Sequence, residues 1–391
     1  MAEAEGLFWT LLFWTCAVLL AYVYAGYPVL AWARAALHRN RAAREGPEPR
    51  VSVIVVAHDE ADRIGPRIDN LVAQDYPADR LEVMVASDGS TDETVSRARE
   101  HAGERVAAIA FERWRGKAAV LNDLVPKARG DVVVLADARQ RFAPDAVRAL
   151  VRPFADPRVG AVSGELILSA GPEDSGVGRS VGFYWRYEKL IRRSESRIDS
   201  TVGATGAIYA IRRDLYERIP DDTILDDVLI PLRIVRRGYR VRFEPSAHAF
   251  DQAAGPAQEF ARKVRTLAGN FQLFSRETWL LDPRRNRIWL ATVSHKGLRL
   301  LAPLLHLGLF VASVALAEGA FYGLALAAQA AFYAAALVGR WLARTGRRNP
   351  ICAVPYVLCL LSWATVVGFV RFAAGRQRVT WDRPAASRGY P

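Results

Sequence analysis

The sequence predicts an α/β domain with a mostly parallel sheet, tethered by transmembrane helices. Three observations carry this prediction. From Val51 onwards short apolar runs alternate with helical patterns, three of those runs end in acidic or small polar residues, and long uncharged stretches lie on both sides of the region. Buried parallel strands read as continuous hydrophobic runs, and alternating β and α elements argue for a sheet covered on both faces.

The strands are expected at 51–57, 81–86, 106–111, 131–136 and 159–168, and the helices at 62–74, 92–101, 117–128 and 144–154. Asp92 is a candidate N-cap with Glu93 in the first turn, and Pro144 suits a helix start. Beyond Ser169 the pattern loosens. Residues 171–200 read as polar and helical in part, and Gly203-Ala-Thr-Gly206 as a tight loop before a strand at 207–211. Residues 224–237 read as a helix opening on acidic side chains, and 258–275 as a basic amphipathic helix.

The flanking stretches Leu7–Trp32, Leu300–Ala317, Gly319–Gly339 and Ile351–Val370 carry no charge. A bilayer-spanning helix needs about 20 apolar residues. The first stretch is longer and more aromatic than a signal peptide and lacks a small-residue cleavage site. Arg34, Arg39, Arg41 and Arg44 follow it, which by the positive-inside rule puts residues 34–290 in the cytosol and the N-terminus outside. The tail's Arg371, Arg376, Arg378, Arg383 and Arg388 also favour the cytosol, so one C-terminal stretch is expected not to cross fully, 351–370 with its Pro355 being the choice.

The organisation expected is a membrane helix at 1–37, a linker at 38–50, the α/β domain at 51–280, and an interfacial helix at 281–299. A C-terminal membrane region at 300–373 and a basic tail at 374–391 follow. The net charge of +12 fits anionic headgroups and an anionic substrate, and no nucleic-acid motif is present. Cys16, Cys352 and Cys359 all fall in apolar stretches, without metal-ligand or disulfide spacing.

Chemistry concentrates at the strand ends, where ligands of open α/β sheets bind. Val51-Ser-Val-Ile-Val-Val-Ala-His-Asp-Glu60, Ala86-Ser-Asp-Gly-Ser-Thr-Asp-Glu-Thr94 and Val133-Val-Leu-Ala-Asp-Ala-Arg139 are the three motifs there. Asp88 follows an apolar strand, with a carboxylate suited to a nucleoside N–H or hydroxyl; as a surface turn residue it would instead cap a helix. Lys117 opens a helix, where anions are favoured. Asp226-Asp227 opens another and supplies a base or, alternatively, a carboxylate complementing the helix dipole. Arg262-Lys-Val-Arg-Thr266 supplies cations to a diphosphate or to anionic lipid.

The order of these motifs resembles family 2 glycosyltransferases, which are inverting enzymes of GT-A fold and are often integral-membrane polysaccharide synthases. The resemblance covers about 51–275. It implies a nucleotide-sugar site, a UDP-sugar donor being expected, at Ala57, Asp59, Glu60, Asp88, Lys117, Asp137 and Arg265. It implies an acceptor side at Gly203, Thr205, Gly206, Asp226 and Arg262. Asp227 is implied as the catalytic base, because Arg233 and Gly238-Tyr-Arg-Val241 follow it at the family's spacing. Asp137 is implied as the ligand of Mg²⁺ or Mn²⁺.

Two departures stand out. Family members carry Asp-x-Asp, whereas here the third residue is Arg139, so either Asp137 holds the ion with few protein ligands or Arg139 meets the phosphates itself. Processive members carry Gln-x-x-Arg-Trp, whereas here Arg262 and Thr266 replace the Gln and Trp; Arg265, Gly269 and Gln272 are retained. The function expected is inverting transfer of a sugar to a lipid-linked or growing polysaccharide acceptor at the cytoplasmic face of a bacterial inner membrane. The alternatives are single-sugar transfer to a polyprenyl phosphate and a non-catalytic nucleotide-binding subunit of a synthase. His58 is expected to be a packing variant.

Overall fold

The computed structural model describes residues 2–38, 46, 48–169, 176–252, 255–345, 347 and 349–380. An apolar rod comes first: α1 (Ala2–Ala21), a π turn (Tyr22–Gly26) and α2 (Tyr27–Ala36). The α/β domain follows, with β1 (Val51–Ala57), α3 (Ala61–Val72), β2 (Leu81–Asp88), α4 (Thr94–Glu100), β3 (Val106–Phe111), α5 (Lys117–Leu124) and β4 (Val132–Asp137). Next come β5 (Arg141–Phe142), α6 (Ala146–Val151), β6 (Val159–Ser169), α7 (Gly176–Ile198), β7 (Ile208–Arg212), α8 (Asp226–Arg236), β8 (Arg240–Gln252) and α9 (Pro256–Arg276). The chain ends with α10 (Trp289–Ala291), a second π turn (Thr292–Gly297), α11 (Leu298–Ala315), α12 (Ala320–Arg344) and α13 (Pro350–Ala373).

The strands form one mixed sheet in the order β3-β2-β1-β4-β7-β6-β8-β5. β3, β2, β1 and β4 are parallel, and β7 is antiparallel to β4 and β6. β1 is buried along its whole length, as its Val/Ile run predicts. Burying each Val or Ile contributes roughly 1.5–3 kcal/mol. That apolar layer is what lets the strand ends carry charged groups without loss of the fold.

Three details differ from the sequence reading. α4 starts at Thr94 rather than 92, and Asp92 instead accepts from the Thr94 N–H at 3.0 Å, outside the helix. The strand β8 was not anticipated; its alternation of buried and half-exposed residues spreads over 13 residues and a bulge. Residues 289–315 form one continuous helix, so the expected interfacial segment and the apolar stretch after it share an element.

Among the described residues four helices are long and apolar enough to cross a membrane: Glu3–Ala36, Trp289–Ala315, Ala320–Arg344 and Pro350–Ala373. α13 runs without a break from Pro350 to Ala373, so Pro355 lies inside the helix rather than ending it. The C-terminal part of α13 packs on α9, with Gly368 against Val264, Leu267 and Ala268, and with Phe369 and Phe372 on Phe271. The chain then runs back to the α/β domain, where Val379 packs over Gly116. Trp381, Arg383 and Arg388 lie outside the described residues.

Candidate active site

The site lies at the carboxyl ends of β1, β2 and β4. Ala57 closes β1, paired with Ser87 and fully buried, so it shapes the floor of the site. Asp59 adopts φ 53°, and its Oδ1 accepts from the Thr91 N–H at 2.7 Å, tying the first motif to the second. The Glu60 N–H donates to Thr94 Oγ1, and Glu60 Oε2 accepts from Arg63. His58 stacks on Trp114 with ring centroids 3.8 Å apart, the packing role expected of it.

Asp88 has a role that its sequence position did not reveal. It is fully buried, and its two oxygens accept from the backbone N–H groups of Arg115 and Gly116 at 2.9 and 2.7 Å. It therefore holds the turn that presents Lys117. Gly116 takes φ 93° there, a left-handed conformation open to glycine.

Lys117 is the centre of charge. Its Nζ donates to Asp137 Oδ1 at 2.7 Å and lies 3.7 Å from Asp226 Oδ2. Burial alone would lower its pKa, but Asp137 and Asp226 outweigh that and raise it above the usual lysine range. Asp226 is buried and accepts from the Tyr209 hydroxyl at 3.2 Å.

Asp227 is partly open to the cleft. Its Oδ2 accepts from the Gly206 N–H at 3.0 Å, and its backbone carbonyl accepts from Ala204 N–H at 2.8 Å. A Cβ at Gly206 would lie 2.9 Å from Asp227 Oδ2, so the loop can approach the carboxylate only as glycine. Burial, then repulsion from Asp226, pushes the Asp227 carboxyl up to about 6, against the pull of Lys117 and Lys296. Gly203 takes φ 90° against Val228, and Thr205 Oγ1 accepts from Arg192 at 2.7 Å.

The metal motif is unusual in its geometry too. Arg139 forms two hydrogen bonds to Asp251 Oδ2, at 3.0 and 2.6 Å. In this structure the charge of Arg139 is engaged by Asp251 on β8. Asp251 was missed in the sequence because β8 was missed. Among the described residues no group of three or more metal-ligating side chains assembles. The residues present fit an ion held by one carboxylate: Asp137 is 42% exposed, and only its Oδ1 is hydrogen-bonded among the described residues. Mg²⁺ commonly binds in that way, with water and substrate phosphates completing its shell.

On α9, Arg265 donates to the Val379 carbonyl at 3.0 Å, beside the Gly116 turn. Arg262 lies within electrostatic reach of Arg139, Glu259, Asp251 and Asp137, with burial and then Arg139 lowering its pKa. Thr266 is exposed. Gln272 accepts from Ile224 N–H and donates to the Asp222 carbonyl, pinning the segment that leads into Asp226. Gly269 lies against Ile224 and Leu225 in the same contact. Arg233 pairs with Glu277 at 2.6 Å, anchoring α8 from behind.

The glycosyl transferase family 2 model matches residues 52–219. This chain carries a family 2 glycosyltransferase domain. It is 27% identical over 217 residues to the probable glycosyltransferase YdaM of Bacillus subtilis, covering 52% of this chain and 51% of that protein. It is 24% identical to the poly-β-1,6-N-acetyl-D-glucosamine synthase of Staphylococcus aureus, covering 50% of this chain and 48% of the synthase. The chain thus spans about half the length of these relatives. Among solved structures, the mannosyltransferase PcManGT from Pyrobaculum calidifontis, in complex with GDP-Man and Mn²⁺, superposes with a TM-score of 0.71 at 26% identity. That match covers 93% of this chain and 99% of the mannosyltransferase. The domain has the GT-A fold expected from the motif order.

Proposed function

We propose that the chain is a membrane glycosyltransferase that moves one sugar from a nucleoside-diphosphate sugar, with inversion, to a lipid-linked acceptor. The observation that carries this reading is the setting of Asp227. One oxygen is fixed by the Gly206 N–H, and the other has no hydrogen-bond partner among the described residues. Its pKa near 6 suits a group that must be ionised and still accept a proton.

In the step proposed, Asp227 Oδ1 takes the proton of an acceptor hydroxyl as that oxygen attacks the anomeric carbon. The bond from that carbon to the diphosphate oxygen breaks, and its electron pair leaves with the nucleoside diphosphate. Attack opposite to the leaving group inverts the configuration. Lys117 and Arg265 orient the diphosphate from the two sides of the Gly116 turn. Mg²⁺ or Mn²⁺ at Asp137 would supply charge neutralisation to the diphosphate.

A UDP-sugar is the donor favoured by the motif order. GDP-mannose is a second reading, favoured by the likeness to a mannosyltransferase along nearly the whole chain. The products are expected to be single additions or short chains. Position 266 offers an exposed Thr in place of an aromatic platform on which a growing glycan slides. In the proposed topology the domain faces the cytosol of a bacterial inner membrane. Incubating the purified full chain with UDP- and GDP-sugars and a lipid extract tests the reading. Sugar transfer to lipid is expected with one donor class; no transfer and no donor hydrolysis with any of them would refute it.

A further inference from the structure

The two π turns, Tyr22–Gly26 and Thr292–Gly297, meet beside the proposed acceptor loop, with the Tyr22 hydroxyl and Ser294 Oγ 2.8 Å apart. Such wide turns occur often at functional sites. Around them runs a buried charge network. His295 bridges Glu195 and Glu188 at 2.8 Å on each side, the Tyr27 hydroxyl donates to Glu195 at 2.7 Å, and Arg299 donates to Glu188 at 3.0 Å. The two glutamates are therefore committed. Arg192, one turn on from Glu188 and paired to it through Nε at 3.5 Å, reaches forward with Nη1 to Thr205, one residue from Gly206.

Lys296 is left over. It follows His295 in the second π turn and lies within electrostatic reach of Arg192, Glu188, Asp227 and Arg299. Among the described residues no hydrogen bond or direct ion pair to it is found, and it is not fully exposed. A partly buried ammonium without a partner is costly unless an anion meets it. The turn that carries it lies near the start of the membrane-length helix Trp289–Ala315, the end expected to meet lipid headgroups.

We propose that Lys296 and Arg192 form an anion subsite for the acceptor, so that the acceptor is a hydroxyl-bearing lipid whose headgroup also carries a phosphate. This rests on the reading of Asp227 as the base. The phosphate sits over Lys296 and Arg192 while the hydroxyl faces Asp227. A phosphate that was itself the nucleophile would already be ionised and would gain nothing from a base.

The test is a binding measurement on the full chain in phosphatidylcholine nanodiscs, without donor. Dodecyl phosphate and dodecyl glucoside are titrated separately. Dodecyl phosphate is expected to bind at least tenfold more tightly, Lys296→Met to remove that preference, and Lys296→Arg to restore it. Lys296→Gln serves as a second neutral variant should the Met form fail to fold. Equal binding of the two amphiphiles would overturn the subsite. So would a Lys296→Met protein that binds dodecyl phosphate normally and shows only a shifted pH profile of turnover, since Lys296 would then act on Asp227 alone. Failure of the transferase reading would appear separately, as absent turnover with every donor.

Discussion

Lys117 Nζ sits 2.7 Å from Asp137 Oδ1 and 3.7 Å from Asp226 Oδ2, so one ammonium links the metal motif to the pair that contains the proposed base. The link spans three elements far apart in sequence: the start of α5, the end of β4 and the start of α8. Removing the cation leaves Asp226 buried without its counter-charge. Lys117→Met is expected to destabilise the domain by about 1–3 kcal/mol, a partly buried pair being worth less than a fully buried one. Thermal unfolding measures this, and nucleotide titration should show weaker donor binding in the same variant. An unchanged Tm would mean that Lys117 is not part of the fold's charge balance.

Metal dependence should be carried by Asp137 alone. Chelation is expected to stop sugar transfer, and Asp137→Ala to do the same, while Arg139→Ala should act mainly through loss of the Asp251 pair on β8. Activity assays with and without a chelator, alongside Tm, separate the two effects. Full turnover in excess chelator would remove the ion from the account.

Gly206→Ala places a methyl 2.9 Å from Asp227 Oδ2 and forces either the loop or the carboxylate to move. Overpacking of this kind costs roughly 1–3 kcal/mol, equivalent to a fall in rate of about 5-fold to 160-fold if it falls on the transition state. The loss should appear in kcat more than in donor KM. A kcat within twofold of wild type would show that the approach of Gly206 does not matter.

The parallel strands and the order of the motifs were legible because buried runs such as Val51–Ala57 carry their own signature. The candidate carboxylates were legible because each ends or opens an element. The hidden part lies in partners distant in sequence. Nothing local marks Asp251 as the partner of Arg139, or Arg192 as the residue that reaches Thr205. Asp88 read as a ligand-facing carboxylate because a strand end looks alike whether its side chain meets substrate or backbone. Lys296 was legible only as one basic residue of an amphipathic segment, since what distinguishes it is the commitment of Glu188 and Glu195 to His295 and Arg299.

The tail offers a topological prediction. Val379 packs on Gly116 and accepts from Arg265, so residues 374–380 lie with the α/β domain. A cysteine placed at Thr380 is expected to be labelled from the same side of the membrane as one on the α/β domain. Labelling from the opposite side would contradict this arrangement.

Asp227 also predicts a stability profile. Its folded pKa of about 6 lies above the ordinary 3.8, so the folded state binds a proton more tightly than the unfolded chain. That contribution is fully present below about pH 4 and is lost as pH rises through about 6. At neutral pH the ionised carboxylate therefore weakens the fold, and Asp227→Asn is expected to be as stable as wild type or more so, by on the order of 1 kcal/mol. Thermal unfolding across pH 4–8 reads this directly; a Tm gap between the two proteins that does not change with pH would contradict the raised pKa.

The most direct test of Asp227 as the base is single-turnover sugar transfer by Asp227→Asn with donor binding measured on the same protein. The account predicts a fall of ~10²–10⁴-fold in the transfer rate at pH 7.5 with donor affinity retained, and a wild-type rate that declines below about pH 6. A variant that keeps more than about a tenth of the wild-type rate would contradict it.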